Sequence, residues 1–243
     1  MSKLTVIVLF TMGLVVTTTA QKSIYNKPYE QWTLDEAWRI LTSSPWARIE
    51  SESSRTSGVS YLLEVRLYSA LPVRQAIVRR MQLTIPYDKL SKEHKADYDA
   101  EVDGLLKCPE CDKHYIVTLF STVRDPMELR SSTNQFPPLQ MKEVVDVVAI
   151  LKRFPREELL RQISLTNDKG ERRAAVNVSF PAKRNEIVFL FPRFDDQGKP
   201  LLTEANKKFT FDVAPEFFKK EGKELRKVTF EVGKLVHNGQ VIF

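Results

Sequence analysis

Apolar and polar residues alternate with period two over several short stretches, which predicts strands. Between Ser60 and Tyr68, Leu63, Val65 and Leu67 fall on one face and Glu64, Arg66 and Tyr68 on the other. Tyr115 to Ser121 reads as a strand rich in β-branched and aromatic side chains. Gln162 to Thr166, Ala174 to Phe180, Glu186 to Phe191, Lys208 to Val213, Leu225 to Val232 and Lys234 to Phe243 share that character. Asn167-Asp168-Lys169-Gly170 is turn chemistry. Asn238-Gly239, flanked by apolar residues, is the strongest hairpin signal in the chain, and His237 beside it is expected to be exposed.

Helical spacing is concentrated in the first half. Thr33 and Glu36 form a capping box ahead of a helix over 33–41, and Pro45 prevents its continuation. Pro72 suits a first helical turn, and Val73, Ala76, Ile77 and Met81 predict a helix over 72–82. The spacing predicts a more polar, surface helix over 87–106. Glu50 to Gly58 reads as a loop, and residues 124–140, with prolines and many polar residues, as a longer one. Met141 to Phe154 fits a helix or a buried strand equally well. The fold class expected from this order is α+β: a mostly antiparallel sheet or sandwich with several short helices in the N-terminal half, in a single domain over 21–243.

Residues 1–20 follow neither period. Lys3 precedes a mostly apolar run, Leu4 to Val16, and Thr18-Thr19-Ala20 offers the small residues a signal peptidase reads. This predicts a signal peptide cleaved after Ala20, and a secreted or periplasmic protein of bacterial type. The run is shorter than the roughly 20 apolar residues of a membrane span, and no later stretch is apolar enough to be one.

Composition adds limits rather than chemistry. With 243 residues, 42% hydrophobic and 28% charged, the chain can build a sizeable core and is not a disordered polymer. The net charge of +6 comes from 37 basic and 31 acidic residues, too balanced to argue for nucleic acid. Basic clusters such as Arg74, Arg79 and Arg80 fit an anionic envelope polymer, lipid headgroups or an ordinary solvated surface interleaved with Glu and Asp. No Gly-x-Ser-x-Gly elbow, His-Glu-x-x-His pair or phosphate-cradling glycine loop is present, which leans away from an enzyme.

The sharpest chemical motif is Cys108-Pro109-Glu110-Cys111. It fits a local disulfide, as expected in an exported protein. It also fits a thioredoxin-like redox pair, although the residues after Cys111 head into a strand rather than the activating helix. Cys108, Cys111 and His114 have zinc-compatible spacing, with His94 or a carboxylate such as Asp112 as a fourth ligand. Two free thiols are the remaining reading. Trp32, Trp38 and Trp46 lie within one short segment, either as a stacking platform for a sugar or partner chain or as anchors docking that segment onto the sheet.

Several of these pieces occur in a familiar order. They are Trp32-Thr33 with Asp35-Glu36-Ala37, Ile40-Leu41 and Ser44-Pro45-Trp46-Ala47; Val65 to Ala76; Tyr115-Ile116-Val117; Val188-Phe189-Leu190-Phe191-Pro192-Arg193; and the Phe230 to Phe243 hairpin. In this order the chain resembles a family of secreted acidobacterial proteins. The resemblance implies secretion and a single domain, and it brings no assigned active site. The expectation for function is an exported binding or interaction module of the cell envelope, whose partner is an envelope protein or polymer and which needs no cofactor. The alternative is a thiol–disulfide or zinc-dependent activity centred on Cys108 and Cys111.

Overall fold

The computed structural model describes residues 24–53, 59–121, 143–144, 147–182, 185–213 and 227–243. The signal-like stretch 1–20, the loop expected over 124–140 and the start of the strand expected at Leu225 lie outside the described residues.

Helix α1 (Leu34–Thr42) starts at the capping box. The Thr33 hydroxyl accepts from the Glu36 amide at 3.2 Å, and the Glu36 carboxylate accepts from the Thr33 amide at 2.8 Å. Next comes a hairpin, β1 (Ala47–Ser53) with β2 (Val59–Leu67), in register from Ala47↔Arg66 to Ser53↔Ser60. The loop expected from Glu50 is thus partly strand. Among the described residues β1 pairs with β2 alone.

Helix α2 (Leu71–Thr84) follows directly. Helix α3 (Lys92–Lys107) begins later than the expected residue 87, because the Ser91 hydroxyl caps it and Tyr87–Lys89 forms a separate 3-10 turn. One short turn, α4 (Pro109–Lys113), leads into β3 (His114–Ser121). The ambiguous segment 141–154 contains both β4 (Glu143–Val144) and α5 (Val147–Leu151).

Helix α6 (Arg156–Gln162) is absent from the sequence reading. Its marks are Pro155 at the cap, Glu157 and Glu158 in the first turn and Arg161 in the last. β5 (Ile163–Asn167) and β6 (Arg172–Ala174) flank the expected Asn167–Gly170 turn. The strand expected over Ala174 to Phe180 divides in two. After β6 the chain changes sheets, Ala175 bonding to Ile163 and Val176 to Leu190, and continues as β7 (Asn177–Ser179). β8 (Glu186–Pro192), β9 (Lys208–Val213) and β10 (Val228–Glu231) complete the larger strands. β11 (Val236–His237) and β12 (Gln240–Val241) form the Asn238-Gly239 hairpin. Asn238 and Gly239 take φ values of 50° and 78°, the left-handed backbone such a turn demands.

Among the described residues the strands build an α+β fold with antiparallel sheets. One sheet has the order β1-β2-β3-β8-β7, with β4 added in parallel to β2; a second has the order β10-β9-β5-β6. Their apolar faces share one core. Leu63, Val65, Val117, Leu119, Ile187, Phe189 and Phe191 come from the first sheet, and Ile163, Leu165, Phe209, Phe211 and Phe230 from the second. The rings of Phe189 and Phe191 meet Phe211 at 5.8 Å and 6.1 Å, joining the sheets.

The N-terminal segment is stapled to this body. Trp32 and Trp46 are fully buried, and the Trp46 indole donates to the carbonyl of Ile242 at 2.9 Å. Trp46 also meets the His237 ring edge-on at 6.4 Å. The expectation that His237 is exposed is therefore corrected: the hairpin folds back on the tryptophan and buries it.

Candidate functional site

The second face of the first sheet is where polar chemistry gathers. Alternation sends Glu64, Arg66 and Tyr68 from β2 and its exit, Ile116, Thr118 and Phe120 from β3, and Glu186 and Val188 from β8 to that side. Register places them in rows, with Arg66 opposite Thr118 and Thr118 opposite Val188. α2 covers part of the face with Ile77, Arg80, Met81 and Thr84. Between helix and sheet lies a hollow of about 460 Å³, within the range of small-molecule sites.

Its floor is charged yet largely buried, Glu64, Arg66 and Glu186 keeping little exposed surface. Arg66 donates from Nη2 to Glu64 at 2.6 Å and from Nε to the Leu41 carbonyl at 2.7 Å, and lies 4.2 Å over the Phe120 ring. The Leu41 carbonyl belongs to the last turn of α1, the end of a helix that favours a cation. Burial pulls the Arg66 pKa down, and the Glu64 carboxylate pushes it back up, with a further contribution from Glu186. Arg66 is thus fixed as a positioned cation. Thr118 differs: it is 3% exposed, lines the hollow, and its hydroxyl has no hydrogen-bond partner among the described residues. A buried hydroxyl left in that state costs free energy that a ligand with one polar atom can recover.

Of the three tryptophans, Trp32 and Trp46 are core anchors, with indole N–H groups donating to carbonyls. Trp38 alone is exposed, at 41%, and Arg80 lays its guanidinium 4.7 Å over its ring. Since Arg80 also lines the hollow, Trp38 is joined to the site through that stack.

Cys108 and Cys111 are bonded to each other, with Cα atoms 5.3 Å apart. Cys108 ends α3 in a left-handed conformation, φ 38°, its amide donating to Gly104. Both cysteines are buried and pack with Ile116, Tyr68, Val188 and Leu190, so the disulfide closes one side of the same sheet face. In this bonded, buried state neither sulfur is a thiolate. His114 Nδ1 lies 3.0 Å from Glu110, on the strand start beyond the turn. Among the described residues no group of His, Cys, Asp and Glu is arranged to hold a metal ion.

Sequence reasoning grouped Glu64, Arg66 and Tyr68 on one face, but it did not single out Arg66, Thr118 or Glu186. The available signal was an acid and a base two residues apart on one strand face, which places them side by side. Fold and site together define an α+β protein with a sheet-borne, partly enclosed hollow. Comparison of the chain with family models, curated proteins and solved structures finds no match to any of them.

Proposed function

We propose that the protein is an exported binding module of the cell envelope, and that it seats a small, mostly apolar molecule bearing one polar group in the hollow between α2 and the sheet. The observation that carries this reading is the Thr118 hydroxyl, without a partner among the described residues, in a lining that is otherwise apolar or already paired. Export rests on the n-region, apolar run and small-residue site of residues 1–20. Among the described residues no helix is long and apolar enough to cross a membrane.

The test uses 1-naphthol, an aromatic body with one hydroxyl. Added to the protein with signals of Ile116, Thr118 and Val188 assigned, it should shift those signals saturably. Thr118→Val should weaken binding by about fivefold, the effect of one neutral hydrogen bond. Shifts confined to other surfaces would overturn the reading. Export is tested separately: after expression in a bacterium of diderm type, the mature chain should begin at Gln21 and be found outside the cytoplasm.

A further inference from the structure

Asn238-Gly239 is the only Asn-Gly pair in the sequence, and it sits at the tip of the C-terminal hairpin with both residues exposed. A Cβ built on Gly239 would meet nothing within 4 Å, so the space beside its backbone is open. Among the described residues the Gly239 amide makes no main-chain hydrogen bond. The Asn238 carboxamide has one contact there, its Nδ2 lying 3.3 Å from Nε2 of His237. A free amide nitrogen that follows an asparagine is an internal nucleophile, and glycine, lacking a Cβ, lets it swing onto the side-chain carbon.

The hairpin also gives this pair room to move. β11 and β12 have two residues each, and among the described residues they pair only with one another. A ribbon that short is marginal, so its tip opens far more readily than the core. Its base is held instead: the Ile242 amide donates to the Leu235 carbonyl at 2.8 Å, and the Ile242 carbonyl accepts from the Trp46 indole. Other candidate positions lack these features. Asn167 and Asn206 precede no glycine, are buried, and spend their carboxamides in several hydrogen bonds. Asp103-Gly104, the corresponding acid pair, lies inside α3, where the helix engages the glycine amide.

We propose that Asn238 is a self-modifying site, which converts in the folded protein to aspartate and isoaspartate. The Gly239 main-chain nitrogen gives up its proton and attacks Cγ of Asn238. The N–Cγ bond forms, the Cγ–Nδ2 bond breaks, and Nδ2 leaves as ammonia with that proton. The cyclic imide then takes up one water. Cleavage at Cγ yields aspartate; cleavage at the main-chain carbonyl carbon yields isoaspartate, with one more atom in the backbone. Either product sets a carboxylate beside the buried His237 ring. Isoaspartate also spoils the two-residue turn of the hairpin whose far strand leads to the Ile242 oxygen. The age of a molecule is thereby tied to the tightness of the clasp between its N-terminal segment and its C-terminal hairpin.

The test incubates the full-length protein for weeks at mildly alkaline pH, beside a sample unfolded in urea. Trypsin, cutting after Lys234, releases residues 235–243, in which Asn238 is the only asparagine. In the folded sample this peptide should gain one mass unit and divide into two isomeric peaks. Its rate should lie within about a hundredfold of the unfolded sample's, the factor set by opening of the tip. Asn238→Gly keeps the left-handed turn and should show no such gain, which separates Asn238 from Gln240. The aged protein should melt at a lower temperature than fresh protein, and aged Asn238→Gly should not. Conversion in urea with none in the folded protein, an equal gain in Asn238→Gly, or an unchanged melt after full conversion would each overturn the proposal.

Discussion

His237 illustrates how one side chain acquires a pH dependence from its surroundings. It sits beside a turn, yet it is buried against the Trp46 ring. Burial holds its pKa below the ordinary 6.5, with a smaller opposing contribution from the Tyr25 backbone. The unfolded chain therefore takes up a proton at a higher pH than the folded protein. Stability from this residue is complete above about 6.5 and is lost as the pH falls below it. Thermal melts from pH 8 to pH 5 should show a decline that is shallower in His237→Gln; equal slopes would remove His237 as a cause. The same scale marks what the sequence hides. Strand alternation assigns Thr118 and Arg66 to a face, but it cannot say that α2 lies over that face, which is what buries both.

Elements with local signals were legible, and those defined by their neighbours were not. The α1 cap, α2 and the Asn238-Gly239 hairpin depend on residues a few positions apart, and each stands close to where its pattern put it. The division of β6 from β7 depends on pairing with strands far along the chain, and β1 is defined by its pairing with β2 rather than by an apolar alternation of its own, so no local period announces either. The disulfide belongs to this scale too. It joins residues only 3 apart in sequence, so it removes little freedom from the unfolded chain. Replacing both cysteines by serine should cost less than the ~3 kcal/mol expected of a 15-residue loop, measured by urea denaturation. A loss well above that would mean that the buried sulfurs matter chiefly as packing for Ile116 and Tyr68.

At the scale of the molecule, the three tryptophans report separately on body and surface. Trp32 and Trp46 are sealed in the core, and Trp38 stands outside under Arg80. Acrylamide should quench only part of the emission of the folded protein, and Trp38→Phe should remove most of the quenchable part. Uniform quenching in that variant would show that the core tryptophans are reachable. The α+β class and the apolar faces of the sheets were readable from periodicity, because burying a face requires it. The hollow between α2 and the sheet was not readable, since it is bounded by segments far apart in sequence. The same separation governs assembly. Trp46 donates to a carbonyl 196 residues later, so a chain emerging from the ribosome makes its N-terminal anchor long before the oxygen that receives it exists. Until then Trp46 lacks that acceptor, and a contact of such high order can close only at the end of synthesis. A chaperone that holds exposed aromatic segments would find its natural client window in that interval.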